Sequence, residues 1–354
     1  MRTEDFDYQL PDELIAQKPV KTRDDSRLLI VSRPSGRVEH ARFRHLPRYL
    51  SPGDALILND TRVLPARLWG RKETGANVEV LLLRQLSDRQ WETLVCPGRR
   101  LPVGTQLVFG DTLRGHVMDI TEYGGRVVEF SWQGDWDLVL EEHGEVPLPP
   151  YITEPCASPE RYQTIYAQHP GSVAAPTAGL HFTEQVLRTL RQGGVKLACV
   201  TLHVGLGTFR PVSVDKVEDH RMHEEFYIVS PTVARLLNQV RHEGGRWWAV
   251  GTTVTRVLET VTTEDGWCQP GQGWTEKFIY PPYRFKAVEG LLTNFHLPRS
   301  TLLMLVSALA GREKLLAAYG EAVRERYRFY SFGDAMLIRP EGDDEHSVQR
   351  NAYL

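Results

Sequence analysis

Between residues 67 and 148 the apolar side chains fall in short β-branched and aromatic runs separated by glycine and proline, and this stretch limits the fold more than any other. Runs at 78–83, 91–95, 106–109, 115–120 and 126–130 are too short for helices and suit a pleated, half-buried surface. Gly98, Pro102, Gly104, Gly110, Gly124 and Gly125 punctuate them. Five or six short strands at such spacing predict a small all-β barrel or sandwich. On both sides of it the apolar period is different, so the β unit reads as an insertion into another domain.

Before the insertion, residues 12–17 read as a short helix stopped by Pro19, 28–31 as a strand, and 55–60 as a buried strand that ends abruptly in Asn59 and Asp60. The proline-rich segment 146–151 is a stiff extended linker. Beyond it, helical spacing at 186–190, 233–240, 254–261 and 302–309 alternates with strands at 195–200, 247–250 and 290–293. The expected architecture is an α/β main domain built from 1–66 and 149–340, with an inserted small all-β barrel domain at 67–148. The polar tail 341–354 reads as disordered. A chain of 354 residues with 41% hydrophobic content is long enough for two cores.

A formal net charge of -3 argues against a protein held to nucleic acid by bulk electrostatics. Any RNA contact must be local, and residues 18–72 hold 13 Lys and Arg against 5 Asp and Glu. That excess suits a phosphate-facing patch in which Arg23, Arg27, Thr61 and Arg62 are the nucleic-acid candidates. The amino-terminal residues lack the layout of a secretory signal, and no apolar run is long enough to span a bilayer, so a cytoplasmic protein is expected. Cys96, Cys156, Cys199 and Cys268 form no C-x-x-C pair and read as buried free thiols. No H-x-x-x-H or H-x-H pair occurs among His181, His203, His223 and His296, so no metal site is expected.

Three junctions share one design, in which a strand runs out, small or polar residues follow, and a helix begins. Open α/β sheets bind ligands at such places. At the first, Gly251 allows close backbone approach and Thr252 or Thr253 is expected to cap the helix, whose free amides suit an anionic group. At the second, Asn294 and His296 stand near a strand end and Ser300 is the expected cap. The third is the rigid loop Pro176, Thr177, Ala178 and Gly179 before His181, with Thr183 as cap. Behind it His203 leads into Gly205, Gly207 and Thr208. Arg210 stands where the third glycine of a dinucleotide fingerprint belongs, which excludes a Rossmann cofactor loop. His223 beside Glu224 and Glu225 adds an imidazole next to carboxylates, in a charge run that reads equally as a solvated face.

Several of these stretches in one order carry a resemblance. Leu58-Asn59-Asp60-Thr61-Arg62-Val63, residues 176–183, 203–209, 251–253 and 294–304, and the closing segment 327–336 are similar to the signature stretches of the S-adenosylmethionine:tRNA ribosyltransferase-isomerase family of queuosine biosynthesis. The likeness runs from the first helix to about residue 340. It departs at Pro282, where glycine is expected, and at Glu289, where aspartate is expected. The resemblance implies transfer and isomerisation of the ribosyl part of S-adenosylmethionine onto 7-aminomethyl-7-deazaguanine at the wobble position of tRNA. Epoxyqueuosine forms, and adenine and methionine are released. S-adenosylmethionine is then a consumed cosubstrate, and no metal or bound prosthetic group is implied.

Such chemistry needs a base for the proton on the ribose carbon beside the sulfonium, help for departing adenine, and a neutral amine. An imidazole suits the first of these roles, since its ordinary pKa is about 6.5. The candidates are His181, His203, His223 and His296, with His181 favoured for its glycine-flanked loop. Asp60 or Glu225 would orient the amine or attract the sulfonium, and Thr61 and Arg62 would hold ribose hydroxyls or the tRNA backbone. Two rival readings are an RNA-binding module without catalysis and an RNA methyltransferase using the same cosubstrate. No apolar heptad seam occurs, and a monomer is expected.

Overall fold

The computed structural model describes residues 1–122, 124–154, 158–205 and 212–341. In chain order the strands of the first part are β1 (Arg27–Arg33), β2 (Val38–Arg42), β3 (Ala55–Asn59) and β4 (Thr61–Val63). The next are β5 (Arg67–Lys72), β6 (Asn77–Gln85), β7 (Gln90–Cys96), β8 (Gln106–Phe109), β9 (Leu113–Ile120), β10 (Arg126–Ser131) and β11 (Gly144–Glu145), with helix α1 (Trp136–His143) before the last. After the linker come β12 (His169–Ser172), α2 (Glu184–Gln192), β13 (Lys196–Leu202), β14 (Glu225–Val229), α3 (Pro231–His242), β15 (Trp247–Val250) and α4 (Gly251–Val261). The chain continues through β16 (Gly271–Thr275), β17 (Gly290–Asn294), α5 (Thr301–Ala310), α6 (Arg312–Arg324) and β18 (Ala335–Pro340).

A nine-stranded mixed sheet runs in the order β16-β14-β13-β3-β15-β17-β18-β1-β2. Its centre, β13-β3-β15-β17, is parallel, so these strands deliver their carboxyl ends to one edge. Parallel strands covered on both faces need apolar residues at every position, as Trp247-Trp248-Ala249-Val250 provides. Successive residues of β3 alternate between two cores: Ala55 and Ile57 pack with α3, α4, α5 and α6, while Leu56 and Leu58 pack with α2 and the 3-10 turn Phe43–Tyr49. Burying each such side chain contributes roughly 1.5–3 kcal/mol. The indole nitrogens of Trp247 and Trp248 donate to Leu237 O and Asp54 Oδ2, both at 2.9 Å, so neither ring leaves a buried donor unmet.

Strands β5-β6-β7-β10-β9-β8 close on themselves through antiparallel β5–β8 pairing, giving a barrel with its own core around Leu68, Val80, Phe109 and Phe130. Several expectations need correction. Residues 12–17 form only a single 3-10 turn, Asp12–Leu14, because Ile15 leaves it to bridge Phe329. No side chain caps α4: Val250 occupies the cap position, and neither Thr252 nor Thr253 closes the helix start. Thr183 and Ser300 do cap α2 and α5, accepting from Val186 N and Leu303 N. Of the cysteines, Cys268 is buried and Cys199 half-buried, but Cys96 is exposed, and Cys156 lies outside the described residues. Glu289, a departure from the family pattern, accepts from Trp247 N and from Arg241, while Tyr283 beside Pro282 donates to Glu259. Of the tail only Glu341 is described. No helix among the described residues is long and apolar enough to cross a membrane.

Candidate active site

The carboxyl ends of β15 and β17, with Val204 just past β13, meet around a small cavity of about 100 Å³ lined by Pro176, Thr177, Ala178, Gly251, Thr252, Thr253, Asn294 and His296, with Glu225 and Arg256 at one side. Gly251 has φ +89, in the left-handed region that side chains disfavour, and this lets α4 start directly at the strand end. With no side-chain cap, the first amides of α4 face the cavity as donors for an anionic or polar group. Val204 and Glu225 also line a second cavity of about 700 Å³ that opens between the sheet edge and barrel strands β6 and β7. The two hollows are therefore neighbours across these residues.

The four histidines fall in different surroundings. His181 is 4% exposed and stacks on Phe43 at 5.1 Å. Its Nε2 accepts from Asn294 Nδ2 (3.2 Å), and Nδ1–H donates to Ser26 Oγ (2.7 Å), which itself donates to Arg23 O. Burial, then Arg23 and Arg328, lowers its pKa to about 3. Both ring nitrogens are thus engaged behind Asn294, and the ring does not line the strand-end cavity, which works against the role first favoured for it. His296 does line that cavity, with Nε2 at 2.8 Å from Thr293 Oγ1 and a pKa that burial lowers to about 3. His203 and His223 line the larger cavity.

His203 has the arrangement a base requires. Its Nδ1 lies 2.8 Å from Thr61 Oγ1, and Thr61 Oγ1 donates to His169 O at 3.4 Å. A hydroxyl that donates to a carbonyl must accept from Nδ1–H, which leaves Nε2 unprotonated. Burial, followed by His169, lowers the His203 pKa and keeps the ring neutral. Gly171, at φ +144, lies so close that a Cβ there would come within 2.8 Å of the ring. Only glycine lets β12 lie against this imidazole.

Around these rings the polar groups are tightly paired. Asn294 Oδ1 accepts from Thr177 Oγ1 (3.0 Å), and its Nδ2 also donates to Tyr330 O. Glu225, 4% exposed, pairs with Arg256 and accepts from Gly205 N at 3.0 Å, which ties β14 to α4 and to the end of the His203 segment. Asp60 accepts from Thr201 Oγ1 at 2.7 Å and stands 3.7 Å from His169. Burial raises its pKa despite the Thr201 bond, and it lines neither cavity. Gly207 and Thr208 lie outside the described residues. No group of three metal-ligating side chains occurs among the described residues.

The expected RNA residues are largely engaged within the fold. Arg23 donates to Leu180 O, Glu160 O and Gln163 O. Arg27 pairs with Asp334, donates to Glu325 O and Arg326 O, and lies over Tyr327. Thr61 is fully buried against His203, and half-exposed Arg62 pairs with Glu160 at 3.2 Å. A basic spot does persist at Arg42, Arg44 and Arg48, which follow burial as causes of the lowered His45 pKa. Sequence reasoning missed Ser26, Phe43, Arg256 and Tyr330, whose contacts are made across distances of 31 to 155 residues.

The fold and this strand-end site define a ligand-binding α/β protein with a closed barrel set beside its pocket. Over residues 3–338 the chain matches the family described as queuosine biosynthesis protein, and it belongs to that family. Relatives from Moorella thermoacetica and Symbiobacterium thermophilum, both named S-adenosylmethionine:tRNA ribosyltransferase-isomerase, are each 60% identical to it over 96% of this chain and 100% of their own length. It is also similar to the crystal structure of an S-adenosylmethionine tRNA ribosyltransferase from Thermotoga maritima, with 43% identity, a TM-score of 0.55, and coverage of 94% of this chain and 99% of that one.

Proposed function

We infer that this chain is an S-adenosylmethionine:tRNA ribosyltransferase-isomerase that moves the ribosyl group of S-adenosylmethionine onto 7-aminomethyl-7-deazaguanine at the wobble position of tRNA. The observation that carries the reading is the uncapped start of α4 at Gly251, facing a cavity that adjoins the barrel cleft, in a chain of this family. The amides of Thr252 and Thr253 suit the methionine carboxylate. A hollow of about 100 Å³ is too small for the whole cosubstrate, since such ligands fill pockets of about 300–1,000 Å³. Its nucleoside part therefore extends past Val204 and Glu225 into the larger cavity. There His203 Nε2 takes the proton from the ribose carbon activated by the sulfonium, and Thr61 holds the imidazole in the tautomer this needs.

His296 and His223 remain the other cavity-facing imidazoles, with His296 beside the methionine part in the small cavity and His223 on the side of the departing adenine. Glu225, paired with Arg256, orients rather than transfers protons, and Asn294 with Thr177 shapes the pocket wall. The enzyme works as a cytoplasmic monomer with S-adenosylmethionine as its sole small-molecule cosubstrate. Incubation with S-adenosylmethionine and tRNA carrying the aminomethyl base should release free adenine. S-adenosylhomocysteine instead would mark a methyltransferase, and an inert mixture a binding module. His203→Ala should abolish adenine release while leaving the fold intact, and Thr61→Val should lower it by about 10-fold or more.

A further inference from the structure

The larger cavity meets the strand-end pocket only at its inner end, and its outer end is built differently. Trp274, on edge strand β16, is 47% exposed at the cavity wall, an unusual degree of exposure for an indole. From it a row of rings leads inward: Phe226 meets Trp274 edge-on at 5.4 Å, and His203 stacks on Phe226 at 6.1 Å with 17° between planes. Arg84, from β6 of the barrel, stands over the Trp274 ring at 5.4 Å, steered by Glu92 at 3.4 Å and Glu224 at 4.0 Å. Arg27 on Tyr327 at 3.9 Å and Arg241 on Trp247 at 3.7 Å are nearer, while Arg89 over Trp132 and Arg339 over Tyr49 stand at a similar 5.4 and 5.3 Å. A flat base inserted between guanidinium and indole needs about 6.8 Å, two steps of the about 3.4 Å base repeat. An outward movement of about 1.4 Å by one half-exposed arginine provides it.

Charge separates base from phosphate here. Among the described lining residues, Glu92, Glu224 and Glu276 outnumber Arg84 and Arg221, with Glu225 already neutralised by Arg256. A lining with more carboxylates than guanidiniums repels phosphate, yet accepts hydrogen bonds from the amino edges of bases. We propose that the outer end of this cavity is a stacking site for one unpaired base of the anticodon loop, next to the nucleotide being modified and held between Arg84 of the barrel and Trp274 of the sheet. This rests on the reading that the chain acts on tRNA, and it makes the barrel one jaw of a clamp that closes on a splayed base. Stacking on an aromatic side chain tolerates any base identity.

The test uses the full-length enzyme and an anticodon stem-loop with 2-aminopurine beside the target position. Wild type should quench the probe on binding. Trp274→Ala should lose the quenching and weaken stem-loop affinity by about 5- to 150-fold, the range for one stacked base. Trp274→Phe should restore most of both, and S-adenosylmethionine affinity should be the same in all three. If Trp274→Ala quenches and binds like wild type while wild type releases adenine in the presence of tRNA, the stacking site is overturned and the reaction stands. Absence of adenine release from wild type overturns both.

Discussion

Replacing His181 by glutamine should flatten the acid side of the stability profile. The ring is sealed behind Asn294 and stacked on Phe43, and burial, followed by Arg23 and Arg328, lowers its pKa from 6.5 to about 3. A folded value below the unfolded one means that the unfolded chain takes the proton first. The contribution is complete above about pH 6.5 and is lost as pH falls toward about 3. Within that window each pH unit removes about 1.4 kcal/mol, so at pH 5 the neutral ring costs the fold about 2 kcal/mol relative to pH 7.5. His296, lowered to about 3 by burial, adds a similar loss, whereas Asp60, raised by burial, works in the opposite direction as its carboxyl protonates. In urea unfolding from pH 7.5 to 4.5, His181→Gln should begin less stable than wild type, because the stack on Phe43 is lost. It should then gain on wild type by about 2 kcal/mol by pH 5. Parallel profiles would mean that the ring titrates as freely folded as unfolded, and the sealed, neutral histidine would be refuted.

Gly251→Ala places a side chain at φ +89, where left-handed backbone costs about 1–2 kcal/mol, and its Cβ would sit 3.7 Å from that of Ala178 inside the cavity. Calorimetric titration should show weaker S-adenosylmethionine binding by a folded variant; wild-type affinity would place the cosubstrate elsewhere. Arg256→Met leaves the Glu225 carboxylate buried and unpaired, so thermal and urea unfolding should show a loss of about 3–5 kcal/mol. Adding Glu225→Gln should recover much of that loss, and no recovery would mean that packing, rather than charge, decides the effect. Ser300→Ala removes the acceptor for Leu303 N and should cost about 1 kcal/mol in urea unfolding, with adenine release unchanged. A larger loss of activity would give Ser300 a part in the chemistry.

The elements most legible in the sequence were those whose periodicity is local. The barrel strands show short β-branched runs between turns, and β15 and β17 are continuous apolar runs that end in polar groups. Charge obscured β14: Glu225 looks like part of a solvated cluster, yet Arg256 from α4 neutralises it inside the protein. Residues 12–17 have helical composition, but pairing of Ile15 with Phe329 outcompetes local propensity. At α4 the expected threonine cap is absent because Gly251 makes the turn by its own backbone. Within the site, residue types at strand ends revealed which groups gather, but not which nitrogen stays open. Asn294 occupies His181 from 113 residues away, and Thr61 fixes His203 from 142 away, relations that no spacing along the chain records.

The fate of the ribosyl carbons bears most directly on the whole account. S-adenosylmethionine carrying one radiolabel in the ribose and a different one in the methyl group would be incubated with tRNA containing the aminomethyl base, and the tRNA counted after purification. A cosubstrate held with its sulfonium ribose against His203 should leave the ribose label on the tRNA and the methyl label in free methionine. Methyl label on the tRNA, with the ribose label in the small-molecule fraction, would contradict it.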